Sequence, residues 1–136
     1  MIATFTWMLT TTMLAFQATS AAPAPRYDGS RPLLCAATDV MACEDTRACT
    51  REAPEAVNLP PFVKIDTSRR RIEATDGSNR SAEIATMTNA DGRLVMHGEQ
   101  NGRAWNVIVA SDTGRMSVAV AGDRVGYVVF GSCTQP

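Results

Sequence analysis

The regular punctuation of the C-terminal half constrains this chain most. Across residues 82–133, short runs rich in Val and Ile are broken by Asp91-Gly92, Asn101-Gly102, Ser111-Asp112-Thr113-Gly114 and Gly122-Asp123. Inside the runs, apolar residues recur at every second position: Leu94 and Met96; Trp105, Val107 and Val109; Met116, Val118 and Val120; Val125, Tyr127 and Val129. Period two is that of a strand with one face turned to a core, and Asp-Gly and Asn-Gly accept the positive φ that a two-residue hairpin demands. The stretch therefore reads as an antiparallel meander. Ile108, Ala119, Val128 and Phe130 fall on the opposite phase, so the second face is less polar than in a sheet covered on one side only.

The same reading extends upstream. Residues 33–43 form a first strand, 44–47 a polar turn, and 49–51 the start of a short second strand. Residues 53–57 suit one helical turn with Pro54 near its start, ended by Asn58-Leu59-Pro60-Pro61. Runs 62–66 and 71–75 flank the turn Thr67-Ser68-Arg69-Arg70, with Val63, Ile65, Ile72 and Ala74 facing a core, and Asp76-Gly77-Ser78-Asn79 turns the chain again. One all-β domain of about eight strands results, and an even count suits a small up-and-down barrel in which the first strand meets the last. A two-sheet sandwich is the alternative.

The N-terminus carries a different signal. Residues 1–22 hold no charged side chain, contain an apolar run over 5–16, and end in small residues before Pro23-Ala24-Pro25. That is the pattern of a cleaved secretory signal. Thr10-Thr11-Thr12 interrupts the run, which is shorter than the roughly 20 apolar residues a membrane span needs. The expected organisation is a signal over 1–22, a flexible Pro- and Gly-containing lead-in over 23–32, and a β domain over 33–136. The expected location is periplasmic or secreted, with no membrane span once the signal is removed.

All four cysteines, Cys35, Cys43, Cys49 and Cys133, lie beyond the signal. An even count in a small exported chain reads as a disulfide framework. Of three connectivities the preferred one joins Cys43 to Cys49 across a short loop and Cys35 to Cys133 across the barrel seam. Zinc is the rival reading, but the intervening lengths contain no C-x2-C or C-x4-C pair. No metal or other cofactor is expected.

The segments Cys35, Cys43 and Cys49, Val57-Asn58-Leu59-Pro60, Asn101-Gly102-Arg103-Ala104-Trp105, Thr113-Gly114-Arg115-Met116-Ser117 and Phe130-Gly131-Ser132-Cys133 together resemble a group of small exported proteobacterial proteins of uncharacterised function. The resemblance covers most of the chain after the signal. It implies a bacterial source, export and disulfides, and brings no activity. In outline, an exported disulfide-bonded barrel is also similar to periplasmic lysozyme and protease inhibitors and to calycin-type ligand binders, an analogy at the level of fold.

With 13 basic and 14 acidic residues the net charge is −1, so no overall field draws the protein to nucleic acid. His97, the one histidine, stands two residues from Glu99 and offers an acid/base pair. No nucleophile motif accompanies it, and alternation sends both side chains outward, so no catalytic residue is assigned. Arg69, Arg70 and Arg71, near Lys64 and Arg80, form the one charge cluster and a candidate partner surface. Trp105, Tyr127, Phe62 and Phe130 are the candidates for lining a ligand pocket at a barrel mouth. Plain core is their competing role, since small barrels are commonly filled by their own side chains. The resulting expectation is a non-enzymatic envelope module that binds a protein or small ligand. One alternative is an inhibitor of an envelope-directed hydrolase, acting through a turn at 112–115 or 68–71; the other is a small enzyme using His97 and Glu99.

Overall fold

The computed structural model describes residues 26–136. The signal expected over 1–22 lies outside the described residues. Ten strands follow in chain order: β1 (Leu33–Glu44), β2 (Thr50–Glu52), β3 (Phe62–Asp66), β4 (Arg71–Ala74), β5 (Ser81–Glu83), β6 (Thr86–Ala90), β7 (Arg93–Gln100), β8 (Arg103–Ala110), β9 (Arg115–Gly122) and β10 (Val125–Thr134). A single 3-10 turn, Pro54–Val57, separates β2 from β3. All pairings are antiparallel and belong to one sheet, in the order β5-β4-β3-β1-β10-β9-β8-β7-β6, with β2 also paired to β1. The two-sheet sandwich is thereby replaced by one continuous, barrel-like sheet.

The two ends of that order are consecutive in the chain. Residues 82–88, which alternation reads as one strand, divide around Ile84 and Ala85: β5 pairs with β4, and β6 pairs with β7. At the division Ile84 N–H donates to the Arg70 carbonyl and Ala85 N–H to the His97 carbonyl. One segment thus ties both edges, and with β5 and β6 taken together eight strands surround the core. On the other side β3 pairs with the first half of β1 and β2 with its second half.

The alternation places side chains as the sequence requires. Leu33, Cys35, Ile65, Ile84, Leu94, Met96, Val107, Val109, Met116 and Cys133 form the buried core, with Val63, Ile72, Met87, Trp105 and Val118 packed on it. Each large side chain fully removed from water contributes about 1.5–3 kcal/mol. The hairpins at Asp91-Gly92 and Asn101-Gly102 have positive φ at both central residues (51° and 71°, 53° and 73°), the geometry of a type I′ turn. The β9–β10 turn falls one residue later than the sequence reading, on Asp123 and Arg124, with Arg124 at φ 60°. There the Arg124 guanidinium binds Asp45, and Asp45 N–H donates to the Arg124 carbonyl, which clips this hairpin to the Cys43–Cys49 loop.

Both disulfides are present: Cys35–Cys133, with Cα atoms 3.9 Å apart, and Cys43–Cys49, at 4.2 Å. Cys35 and Cys133 are direct partners in the β1–β10 ladder, so the long bridge staples the first strand to the last. Two disulfides fit an oxidising compartment. Among the described residues no helix is long and apolar enough to cross a membrane.

Candidate functional site

The two ends of the barrel-like sheet differ. At the end where β1 begins, Tyr27 to Ser30 dock across the opening. Tyr27 N–H donates to the Ser111 carbonyl, Thr67 Oγ1 to the Gly29 carbonyl, and Asn89 Nδ2 to the Asp28 carbonyl. Tyr27 packs on the core. Composition gave no sign of this docking, because its hydrogen bonds are made by main-chain groups that any residue supplies.

At the opposite end, where β1 finishes and the β7–β8 and β9–β10 hairpins turn, the interior is open. A cavity of about 400 Å³ runs from this mouth toward the core. Its walls are inward positions of successive strands: Val63 from β3, Ile72 from β4, Trp105 and Val107 from β8, Val118 and Val120 from β9, and Tyr127 and Val129 from β10. Val57, Leu59 and Pro60 close one side. Val57 ends the 3-10 turn that starts at buried Pro54, and Asn58, whose left-handed conformation (φ 56°) reverses the chain, leads into Leu59 and Pro60. Polar groups ring the mouth: Asn58, Arg80, Ser81, Gln100, Asn101 and Arg103.

The cavity exists because the strands supply valine and alanine where a filled barrel would need larger side chains. Trp105 and Tyr127 are the aromatic exceptions, and glycine makes room for Trp105. Gly98 faces Trp105 across the β7–β8 ladder, and a Cβ at Gly98 would collide with the indole ring and come within 2.7 Å of the Glu83 carbonyl oxygen. The indole Nε1–H is buried and has no hydrogen-bond partner among the described residues, which is uncommon for a buried donor.

Most of the mouth's polar groups are already engaged. Arg80 donates to Asn58, Ser78 and Asp76, and Gln100 Nε2 to the Ser81 carbonyl at 2.7 Å. Ser78 first, and then Arg80, holds the Asp76 carboxyl far below the usual carboxylate range. Arg103 stands apart. Its guanidinium lies 5.8 Å from the Tyr127 ring centroid, and it makes no ion pair among the described residues.

Neither a family model nor a curated protein nor a solved structure matches the chain. The site is therefore described from its own geometry.

Of the four aromatic candidates, the structure brings Trp105 and Tyr127 together in the cavity wall. Phe62 and Phe130 lie outside it, on the outer face, at 50% and 48% exposure. Their phase decides this: Phe62 alternates with inward Val63, and Phe130 with inward Val129. The arginine cluster is also divided. Arg70, in the left-handed conformation (φ 52°), folds back so that its guanidinium donates to the Ile84 and Ala85 carbonyls. Arg69 stands 3.8 Å from Glu73, and Arg71 is exposed. Thus Arg70 supports the β5–β6 division, and the three do not act as one patch. His97 and Glu99 are exposed on the outer face of β7, away from the cavity.

Alternation nevertheless underestimated the mouth. Arg103, Asn58 and Gln100 line the mouth without any signal in the sequence, because convergence of loops from distant parts of the chain leaves no local pattern. At the other end a wider depression of about 830 Å³ lies between Arg26, Asp28, the Asp91-Gly92 turn and Asp112. No large apolar side chain lines it.

Proposed function

We propose that this protein is an exported, non-enzymatic binding module that holds a small apolar ligand in the open end of its barrel. One observation carries the reading: an apolar cavity of about 400 Å³ inside a sheet whose other end is packed. Volumes of roughly 300–1,000 Å³ with mostly apolar walls and a few polar groups are typical of small-molecule sites. Export is supported by the uncharged apolar N-terminal run and by the two disulfides, and the periplasm or the extracellular space is the compartment proposed.

The test uses the neutral dye N-phenylnaphthylamine, whose fluorescence rises in apolar surroundings. Saturable binding at a single site is expected, and Val118→Phe, which fills the cavity from β9, should weaken it by about 10-fold or more, the effect of losing one to two buried apolar contacts. Absence of saturable binding, or binding indifferent to Val118→Phe in a folded variant, would sink this reading. The inhibitor alternative would then lead, since the turns at 68–71 and 112–115 both lie at the packed end and neither touches the cavity.

A further inference from the structure

We infer that the ligand is a single-chain amphiphile with an anionic head, the head held by Arg103 and the chain in the apolar cavity. This rests on the reading above and adds the chemical class. Three acidic groups of the surrounding loops are committed elsewhere, Asp76 to Arg80, Asp45 to Arg124, and Glu44 to Arg47 at 3.3 Å, while Asp123 in the β9–β10 turn and Glu99, exposed on the outer face of β7, make no ion pair with Arg103. Arg80, the other cation in the wall, spends its donors on Asp76, Asn58 and Ser78. Arg103 alone among the mouth's cations has neither an ion pair nor a hydrogen-bond acceptor among the described residues, while the Tyr127 ring lies beneath it, its centroid 5.8 Å from the guanidinium carbon. Stacking on an aromatic face orients a guanidinium and leaves its in-plane N–H groups for a planar or tetrahedral oxyanion.

Below Arg103 the wall changes character. Trp105 lies two residues further along the same face of β8, followed by Val107, and Val120 stands opposite Trp105 on β9. The indole N–H has no acceptor and its nitrogen is fully buried, on the ring edge packed against Gly98, so Trp105 contributes apolar ring surface to the wall and takes no part in holding the head. Size sets the chain: at about 30 Å³ per water-sized group, 400 Å³ holds roughly a dozen non-hydrogen groups. Carboxylate and phosphate heads share this chemistry.

Isothermal titration with decanoate, decyl phosphate and decan-1-ol, each below its aggregation concentration, separates the parts of the inference. Decanoate or decyl phosphate should bind about 10-fold tighter than decan-1-ol, the worth of a charge-assisted hydrogen-bond pair. R103Q should erase that preference, and R103K should restore only part of it because Lys lacks the planar fork. The better of the two anions identifies the head. Equal binding of alcohol and anions overturns the anionic head while leaving the apolar cavity site standing; binding of none of the three overturns both. A preference that survives R103Q in a protein with unchanged circular dichroism overturns the role of Arg103.

Discussion

At the scale of single residues, this fold depends on places where a side chain is absent as much as on those where one is present. Gly98 lets the Trp105 ring lie flat against β7, and Gly131 lets β10 approach β1 so closely that a Cβ would strike the Ala36 carbonyl. At both sites a neighbouring main-chain carbonyl blocks the added carbon, so the clash cannot be relieved by turning a flexible side chain. Gly98→Ala should therefore cost about 1–3 kcal/mol, the usual penalty of overpacking, measured by urea denaturation. It should also displace Trp105 and weaken dye binding in the cavity. A variant with wild-type stability and affinity would show that the ring is not pinned there. Sequence reading put Trp105 on the inward phase and left it between core and pocket wall, and the glycine opposite it looked like any glycine in a strand.

At the scale of elements, β1 shows how a strand can satisfy two neighbours at once. Its ladder with β10 shifts between Ala37 and Asp39, a bulge that leaves Thr38 exposed with its Oγ1 bonded to the Phe130 carbonyl. Before the bulge Leu33, Cys35 and Ala37 face inward. After it the phase changes, so Val40 is buried and Asp39 turns out to bind Arg51 on β2. A regular strand would carry Asp39 inward and Val40 out, because a shift of one residue exchanges the two faces. The disulfide Cys35–Cys133 lies on the regular side of that bulge and joins residues 98 apart in sequence, whereas Cys43–Cys49 joins residues 6 apart. Loop-closure entropy gives about 4.7 kcal/mol for the first and about 2.4 kcal/mol for the second, as upper values. The double variant Cys35→Ala/Cys133→Ala should lower the denaturation midpoint more than Cys43→Ala/Cys49→Ala does. Equal losses, or a greater loss from the short loop, would contradict the seam-stapling role of the long bridge.

At the scale of the whole molecule, carboxylates tied into turns set how the fold responds to acid. Asp66 accepts from Ser68 Oγ at 2.6 Å and from Arg69 N–H at 3.1 Å in the β3–β4 turn. Asp28 is held by Ser30, and Asp39 by Arg51. Together with Asp76, all four have carboxyl groups lowered from the ordinary value near 3.8 by these partners. A lowered folded-state value means that the unfolded chain binds more protons in acid. The stabilisation is complete above the unfolded value, about 3.9, and is lost as pH falls below it. The thermal midpoint should hold steady from pH 7 to about 5.5 and fall below about pH 4, with Asp66→Asn reducing that fall. A midpoint that stays level to pH 3 would show that these contacts contribute nothing to folding.

How much of the molecule was written in local sequence differs between fold and site. The meander, the Asp91-Gly92 and Asn101-Gly102 turns and the inward phases from β7 to β10 were legible because strand period and hairpin chemistry act over two to eight residues, and because Gly and Asn mark positive φ directly; the β9–β10 turn, with Arg124 at the positive φ, lay one residue off. Cysteine count and position made the bridge between the first and last strands a natural preference. The split at Ile84 and Ala85, the bulge in β1, the docked Tyr27 and the open end were not legible. Each depends on how far strands tilt and which distant main-chain groups come within hydrogen-bond reach, and only the assembled sheet sets those distances. The cavity is the clearest case. Alternating Val residues predict an interior face but not whether opposite walls touch, so phase put Trp105 and Tyr127 inside without deciding between filled core and cavity wall. Their grouping with Asn58 and Arg103 around one mouth was decided by the tertiary structure.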